Sequence, residues 1–326
     1  MLRLLLPFAI IYIVVAAFWT VLRAAKSWRL GAMSVAIVLV ALTPLIIPPG
    51  FLSVRVVAAF LSFDAIFRLV DANRRAGEYV TAARFPSYLR FFVPFPVLLV
   101  TGEEHRQSRH LTTPLRVASL RTVIGVGLFA LLLWLLFALQ DNPVLRANFV
   151  LDHLLKSLLF GLALEVIGIL APGIERLAGF QTTSPMNRIL VSRTPAEFWR
   201  RYNTRIHTWL SRNVFRPVGG ARRAAVAIGL VFFVSAVFHE VAFDVALSRV
   251  DGYQFTFFML QIPAVLISPR LERFARRGPV ARFLTHTSTV AWFGATSFFF
   301  ARGLGQIFPF FYTAPMPGPL FGEWKF

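Results

Sequence analysis

Apolar residues gather into eight nearly uninterrupted stretches, 4–22, 31–49, 51–69, 119–140, 149–171, 224–247, 253–268 and 283–301. A helix needs about 20 mostly apolar residues to cross the hydrocarbon of a bilayer. Most of these stretches meet that length; the seventh is short and reads as tilted or only partly inserted. A further apolar stretch, 91–100, is too short to span and is broken by Pro94 and Pro96, which makes it re-entrant or interfacial. The segment 4–22 lacks a small-residue cleavage site and is followed by more spans, so it reads as a retained helix rather than a signal peptide. The predicted fold class is all-α: a polytopic helical membrane bundle of about eight transmembrane helices plus interfacial amphipathic helices. It reads as a single membrane-embedded domain over 1–326, with N-terminal spans in 1–183, a motif-bearing region in 184–247 and further spans and a tail in 248–326.

Composition agrees. The chain has 326 residues, 57% hydrophobic and only 15% charged, with a mean hydropathy of +0.66. A soluble domain is about 45–50% apolar and about 25% charged. These values exclude a soluble enzyme and a disordered chain. Cysteine is absent, which removes disulfides, thiolate metal sites and a cysteine nucleophile. No cofactor or resident metal is expected.

The net charge of +19 would suit nucleic acid, but the basic residues lie between apolar runs, where membrane topology places them. With the N-terminus outside, the inward loops 22–31, 68–121, 171–223 and 269–282 hold 27 Lys and Arg, against six in outward segments. That bias sets the orientation, puts the 171–223 loop in the cytoplasm and, for an even span count, places both termini outside. Short loops and the missing cysteine point to a bacterial inner membrane. No internal repeat of the kind that builds many transporters is visible.

The longest polar region carries the best motif. Thr194-Pro195-Ala196-Glu197 is a helix start, with Thr194 as N-cap, Pro195 at the first helical position and Glu197 completing a capping box. The helix predicted over 194–216 carries Trp199, Ile206, Leu210 and Val214 as an apolar stripe, with Arg200, Arg201, Arg205 and Arg212 mostly off it. Such a helix lies in the membrane interface. Asn203 and His207, four residues apart, share its apolar face. Polar groups there are either paired with neighbouring backbone or used.

Segment 224–247 holds His239 deep in an apolar run, with Ser235 one turn before it and Glu240 and Asp244 on another face. Ionisable residues at membrane depth mark functional sites or interhelical networks. The metal reading is poor, because the second His of a zincin motif is missing. A neutral imidazole is suited to take a proton from an alcohol near neutral pH, which points to lipid-like acceptors.

Together the two segments resemble the membrane-bound O-acyltransferase family. Glu197-Phe198-Trp199-Arg200-Arg201-Tyr202-Asn203 is similar to that family's Phe-Trp-x-x-(Trp/Tyr)-(Asn/His) signature, with Tyr202 in place of the commoner Trp. Phe232 through Glu240 resembles its Ser-x-x-x-His-Glu element. Ser184-Pro185-Met186-Asn187-Arg188-Ile189-Leu190 is similar to the wax synthase-like branch, and Asn203-x-x-x-His207-x-Trp209 to the diacylglycerol and sterol acyltransferase branch. The likeness covers roughly 184–240.

The resemblance implies a catalytic tunnel in a helical bundle, His239 as catalytic base and Asn203 as a second catalytic or substrate-orienting residue. It implies transfer of an acyl group from acyl-CoA, the co-substrate, to a lipid-like alcohol, as in wax ester synthesis; diacylglycerol, a sterol or a glycan hydroxyl would use the same base. Membrane lipids are the expected partners. Trp199, Tyr202, His207, Ser235 and Glu240 are the expected substrate contacts, with Arg200, Arg201 and Arg205 capturing the polyanionic CoA. Two other readings stay open: a proton-coupled transporter relaying through His239, Glu240 and Asp244, and a noncatalytic lipid-binding protein.

Outside these motifs, Asp64, Glu165 and Lys156 fall within spans and are expected to pair there. His105 and His110, beside Glu103 and Glu104, read as solvent-exposed; His153 and His286 read as interfacial. Trp292 reads as packing. Pro309, Pro315, Pro317 and Pro319 make the C-terminal tail irregular, and its Phe residues predict a fold back onto the membrane.

Overall fold

The computed structural model describes residues 2–77, 85–93, 113–318, 320 and 324–325. His105, His110, Glu103, Glu104, Pro319 and most of the 91–100 stretch lie outside them. The described chain is helical: α1 (Leu2–Val21), α2 (Lys26–Leu42), α3 (Leu52–Arg74), α4 (Phe85–Phe91), α5 (Leu115–Ala138), α6 (Pro143–Ala147), α7 (Phe149–Leu177), α8 (Pro195–Arg201), α9 (Thr204–Leu210), α10 (Ala224–Leu247), α11 (Tyr253–Ala275) and α12 (Pro279–Ile307). A two-residue strand pair, β1 (Arg249–Val250) against β2 (Trp324–Lys325), is the exception.

Among the described residues, six helical segments are long and apolar enough to cross a membrane: Leu4–Val21, Lys26–Ile46, Pro49–Arg74, Leu115–Ala138, Phe149–Leu177 and Gly220–Leu247. The last two of the eight expected spans form the long helices α11 and α12, yet they are not among those six. Their composition accounts for this. α11 carries Gln254, Gln261, Pro263 and Pro269 and ends in Arg270, Glu272 and Arg273, and α12 is studded with Ser and Thr.

The chain divides into two compact units, 1–107 with 241–251 and 323–326, and 108–240 with 252–322. In the first, α1, α2 and α3 pack together. Asp64 pairs with Arg68 one turn on in α3 at 2.7 Å, both buried. The guanidinium also donates to the Phe91 carbonyl. The Tyr88 hydroxyl, on α4, donates to the Val15 carbonyl at 2.9 Å and is fully buried. These bonds satisfy polar groups that lipid would leave bare.

In the second unit, α5 and α7 run close together. A Cβ on Gly173 would meet Thr122 Oγ1 at 2.7 Å and the Ala118 carbonyl at 3.1 Å, so only glycine permits this approach. α7 carries a polar end. Asp152 Oδ2 accepts from the backbone N–H groups of Thr313 and Ala314, at 2.8 and 3.0 Å. Lys156, fully buried, lies 3.8 Å from Asp152. His153 bonds the Tyr312 hydroxyl and the Gly294 carbonyl, each at 2.8 Å. Residues 312–314 of the tail therefore lie against α7, and His153 is buried beneath them. Asp152 takes two backbone N–H groups of this stretch, while the Phe311 N–H bonds the Phe308 carbonyl within the tail at 2.8 Å. The Lys156 ammonium donates to the Thr313 hydroxyl at 3.3 Å and faces Asp152, one turn away, from beyond hydrogen-bond reach, while Glu165 accepts from the Leu190 backbone at 3.0 Å. Between α12 and α11, Trp292 Nε1 donates to Gln261 Oε1 at 3.1 Å, which ties the two helices together.

Candidate active site

The expected continuous helix over 194–216 is broken. Its start is as read: the Thr194 hydroxyl accepts from the Glu197 backbone at 3.2 Å and Pro195 opens α8. Glu197 reaches back to the Arg193 backbone at 2.7 Å, one residue earlier than an ideal capping box. At Tyr202 the chain turns extended, and Asn203 adopts a left-handed conformation with φ 42° and ψ 62°. Asn tolerates that region better than most residues. Its Oδ1 caps α9 by accepting from the Ile206 backbone at 3.3 Å. A π-helical turn, Ser211–Phe215, follows α9. Asn203 is thus a cap between two short helices. Its carbonyl accepts the His207 N–H at 2.9 Å, the first bond of α9, so the break separates both residues from Trp199 and α8.

Capping uses the amide oxygen of Asn203 and leaves its Nδ2 without a partner among the described residues, so the side chain is free to donate. His207 keeps an accessible edge, while crowding around its ring, and secondarily the Arg200 guanidinium, push its pKa below the usual imidazole range. Burial pushes the Tyr202 phenol up to about 12, which keeps it neutral at physiological pH. Tyr202 stacks on Phe198 at 5.6 Å.

Residues 201–205 are zipped to the 183–188 segment. Arg201 accepts at its carbonyl from the Asn187 backbone at 3.0 Å, and its guanidinium donates to the Arg188 carbonyl at 3.0 Å. The Asn203 N–H points at Met186 Sδ, 3.4 Å away. Thr204 donates its N–H to the Pro185 carbonyl and its hydroxyl to the Ser184 carbonyl, both at 2.8 Å. The Ser184 hydroxyl bonds the Gly168 carbonyl of α7 at 2.7 Å. This accounts physically for the Ser184–Leu190 motif: it is the cradle of the break.

The basic residues separate into different roles. Arg200 is exposed and 3.5 Å from Glu272. Arg201 pairs with Glu197. Arg205 was expected on a basic rim, but it is 3% exposed and forks onto Glu175 of α7 at 2.8 and 2.6 Å, with further bonds to the Thr183 carbonyl. With the helix broken at Asn203, the stripe no longer predicts which way Arg205 faces. Its guanidinium is fully engaged, whereas Arg188, Arg193 and Arg200 are exposed.

His239 is half-buried on α10. Its Nδ1 lies 2.8 Å from the Ser235 carbonyl oxygen. A carbonyl only accepts, so Nδ1 carries the proton and Nε2 presents a lone pair. Ser235 acts here through its backbone rather than through the hydroxyl. The imidazole packs on Phe258 at 4.1 Å and lies 6.2 Å from Phe300. Trp199 stands edge-on to Phe232 at 5.3 Å and 5.7 Å from Phe258; its indole N–H is buried with no hydrogen-bond partner among the described residues.

Glu240 departs from the expected substrate contact. Its carboxylate accepts the backbone N–H groups of Gly252 and Phe255, the latter at 2.7 Å, and so caps the start of α11. A carboxylate at that end satisfies orphan donors and complements the helix dipole. Asp244 is half-buried with partners of its own. The structure thus brings Trp199 and His239 together around Phe258, and takes Glu240 and Arg205 into the scaffold. Phe258 and Glu175 escaped the sequence reading: Phe258 is one of 35 Phe residues, and Glu175 sits at the end of a span, where a charge usually just reaches water.

A model of the membrane-bound O-acyltransferase family matches residues 128–300, just over half of the chain. The matched region runs from α5 into α12 and contains both motifs. Among curated proteins, diacylglycerol O-acyltransferase 1 of Corylus americana is 33% identical over 94 residues, 28% of this chain and 17% of that protein. The probable sterol O-acyltransferase 2 of Schizosaccharomyces pombe is 32% identical over 81 residues, 25% of this chain and 17% of that protein. Diacylglycerol O-acyltransferase 1 of Arabidopsis thaliana is 33% identical over 85 residues, 26% of this chain and 16% of that protein. The matches thus span about one sixth of the length of these relatives. They carry the names of diacylglycerol and sterol enzymes, and none of the three is a wax synthase.

Proposed function

The chain belongs to the membrane-bound O-acyltransferase family, and from that premise we propose that it esterifies a membrane-dissolved alcohol with a fatty acyl group from acyl-CoA. The observation that carries the reading is the hydrogen bond from His239 Nδ1 to the Ser235 carbonyl. It fixes the tautomer in which Nε2 is a base. Nε2 takes the hydroxyl proton as the oxygen attacks the thioester carbonyl carbon. The C–O bond forms, the C–S bond breaks, and the CoA thiolate leaves and is reprotonated from the imidazolium. No acyl-enzyme is needed, in keeping with the absence of cysteine.

Asn203, with its oxygen held as a cap and its Nδ2 free, orients the thioester or donates to the carbonyl oxygen as negative charge develops there. Trp199 and Phe258 supply apolar walls beside the base. Exposed arginines on the 188–223 segment attract the phosphates of CoA, on the side that the charge bias makes cytoplasmic. The named relatives move diacylglycerol and sterols ahead of long-chain alcohols as acceptors to try first. The two backbone bonds to Glu240 argue against a proton relay through it, and so against the transporter reading.

The test is acyl-CoA turnover by purified protein, wild type beside His239→Ala, with diacylglycerol, sterol and long-chain alcohol offered separately, and free CoA and ester both measured. Turnover that requires one acceptor and falls by about 10²–10⁴ in the variant is the expected result. Equal turnover in both proteins would remove His239 as the base.

A further inference from the structure

Resting on the reading that Asn203 orients the reacting thioester, we propose that the Arg205–Glu175 pair is a positioning device that holds Asn203 in place from α7. Asn203 sits in a left-handed conformation that a helical chain does not adopt on its own, and something must hold the break there. The three consecutive residues Asn203, Thr204 and Arg205 each bond backward to the 183–186 segment, in strict order along the chain. That zipper has two anchors on α7. Ser184 is bonded to the Gly168 carbonyl, and Glu175, two turns further along the helix, takes both arms of the Arg205 guanidinium. Thr182 also donates to Glu175, so the segment and α9 meet at one carboxylate.

The chemistry suits alignment rather than adhesion. A bidentate guanidinium–carboxylate pair fixes direction as well as distance. Both side chains are only 3% exposed, so water does not compete for the contact. Arg205 is two residues beyond Asn203, so a shift in its anchor is passed directly to the cap. Neither residue of the pair touches substrate in this proposal; both act through Asn203.

A double-mutant cycle in the full-length protein tests it. The neutral pair E175Q/R205Q avoids an orphaned buried charge, and is compared with wild type in kcat, in KM for acyl-CoA and in melting temperature; the same two substitutions are then made in N203A. The expected result is a loss of about 10-fold or more in kcat with KM moved less than about threefold, because misplacement of an orienting group costs rate rather than binding. In the N203A background the pair is expected to cost less than about twofold, since independent effects would add and coupled ones do not. R205K, which keeps the charge but loses the fork, carries the same test if the neutral pair does not purify as a single species. Equal losses in both backgrounds, or an unchanged kcat beside an impaired N203A, would overturn the positioning role alone. Wild-type turnover by N203A itself would overturn the role of Asn203 and this proposal with it.

Discussion

The imidazole of His239 and the indole of Trp199 pack against one ring, that of Phe258, with centroid separations of 4.1 and 5.7 Å. Two motifs some 40 residues apart in the chain are thereby referred to a common surface on α11. The start of that helix is held by Glu240, the neighbour of His239. His239, the ring it packs on and the helix that carries the ring form a closed loop of contacts.

Removing the ring should loosen His239. Phe258→Ala is expected to destabilise by about 3–5 kcal/mol through the cavity it leaves, and to lower kcat beyond what reduced folding accounts for. Phe258→Leu should recover most of the stability but less of the rate. Turnover per folded molecule, set against melting temperature, separates the two effects. A Phe258→Ala protein with unchanged kcat per folded molecule would show that the ring does not position His239.

Two arginines of one segment should behave oppositely. Arg200 is exposed beside Glu272, and such pairs contribute about 0–1 kcal/mol. Arg200→Ala should therefore leave the melting temperature near wild type while raising KM for acyl-CoA, with a salt dependence weaker than in the wild type. Arg205→Ala strands the Glu175 carboxylate in a dry site, at a cost of about 3–5 kcal/mol. Melting curves of the two variants, side by side, check the contrast. Comparable losses would mean that the burial of Arg205 is not maintained.

Much of this was legible in the sequence for physical reasons. Helix positions follow from apolar runs, and the start of α8 from Thr194, Pro195 and Glu197, because both signals are local. The break at Asn203 was not legible: propensity and stripe both continue through it, and what stops the helix is a set of bonds to residues 183–186, far from local. The same cause hides Arg205, whose direction depends on the break, and Glu175, whose partner comes from another helix. Glu240 was misread because capping of α11 depends on where the chain returns after the 248–252 turn.

His207 predicts a pH dependence of stability. Its pKa in the folded protein lies below the ordinary value, through lost solvation first and the Arg200 guanidinium second. For a depressed His the unfolded chain binds the proton more readily, so its contribution is at its most favourable above the ordinary value of about 6.5 and is lost as pH falls through the lowered one. Between about pH 7.5 and 5 the wild type should therefore lose more melting temperature than His207→Gln. Parallel curves for the two proteins would show that His207 does not titrate differently in the folded state.

Three helical glycines should respond differently to alanine, and the difference tests the cradle. On Gly127 a Cβ meets nothing within 4 Å, so Gly127→Ala should be neutral or stabilising by up to about 1 kcal/mol from helix propensity. On Gly161 it would meet only the far end of Leu190, at 3.0 Å, which can swing aside. On Gly168 it would lie 2.9 Å from Met186 Cβ and 3.0 Å from the Met186 carbonyl oxygen. Neither of those atoms can rotate away, so the 184–186 segment has to lift from α7. Overpacking of this kind costs about 1–3 kcal/mol. The lift also shifts the partners of Asn203 and Thr204, so Gly168→Ala should lose activity out of proportion to stability, whereas Gly161→Ala should keep both. Specific activity and melting temperature of the three variants decide it. A Gly168→Ala protein with wild-type turnover would show that the α7 anchor can move without disturbing Asn203.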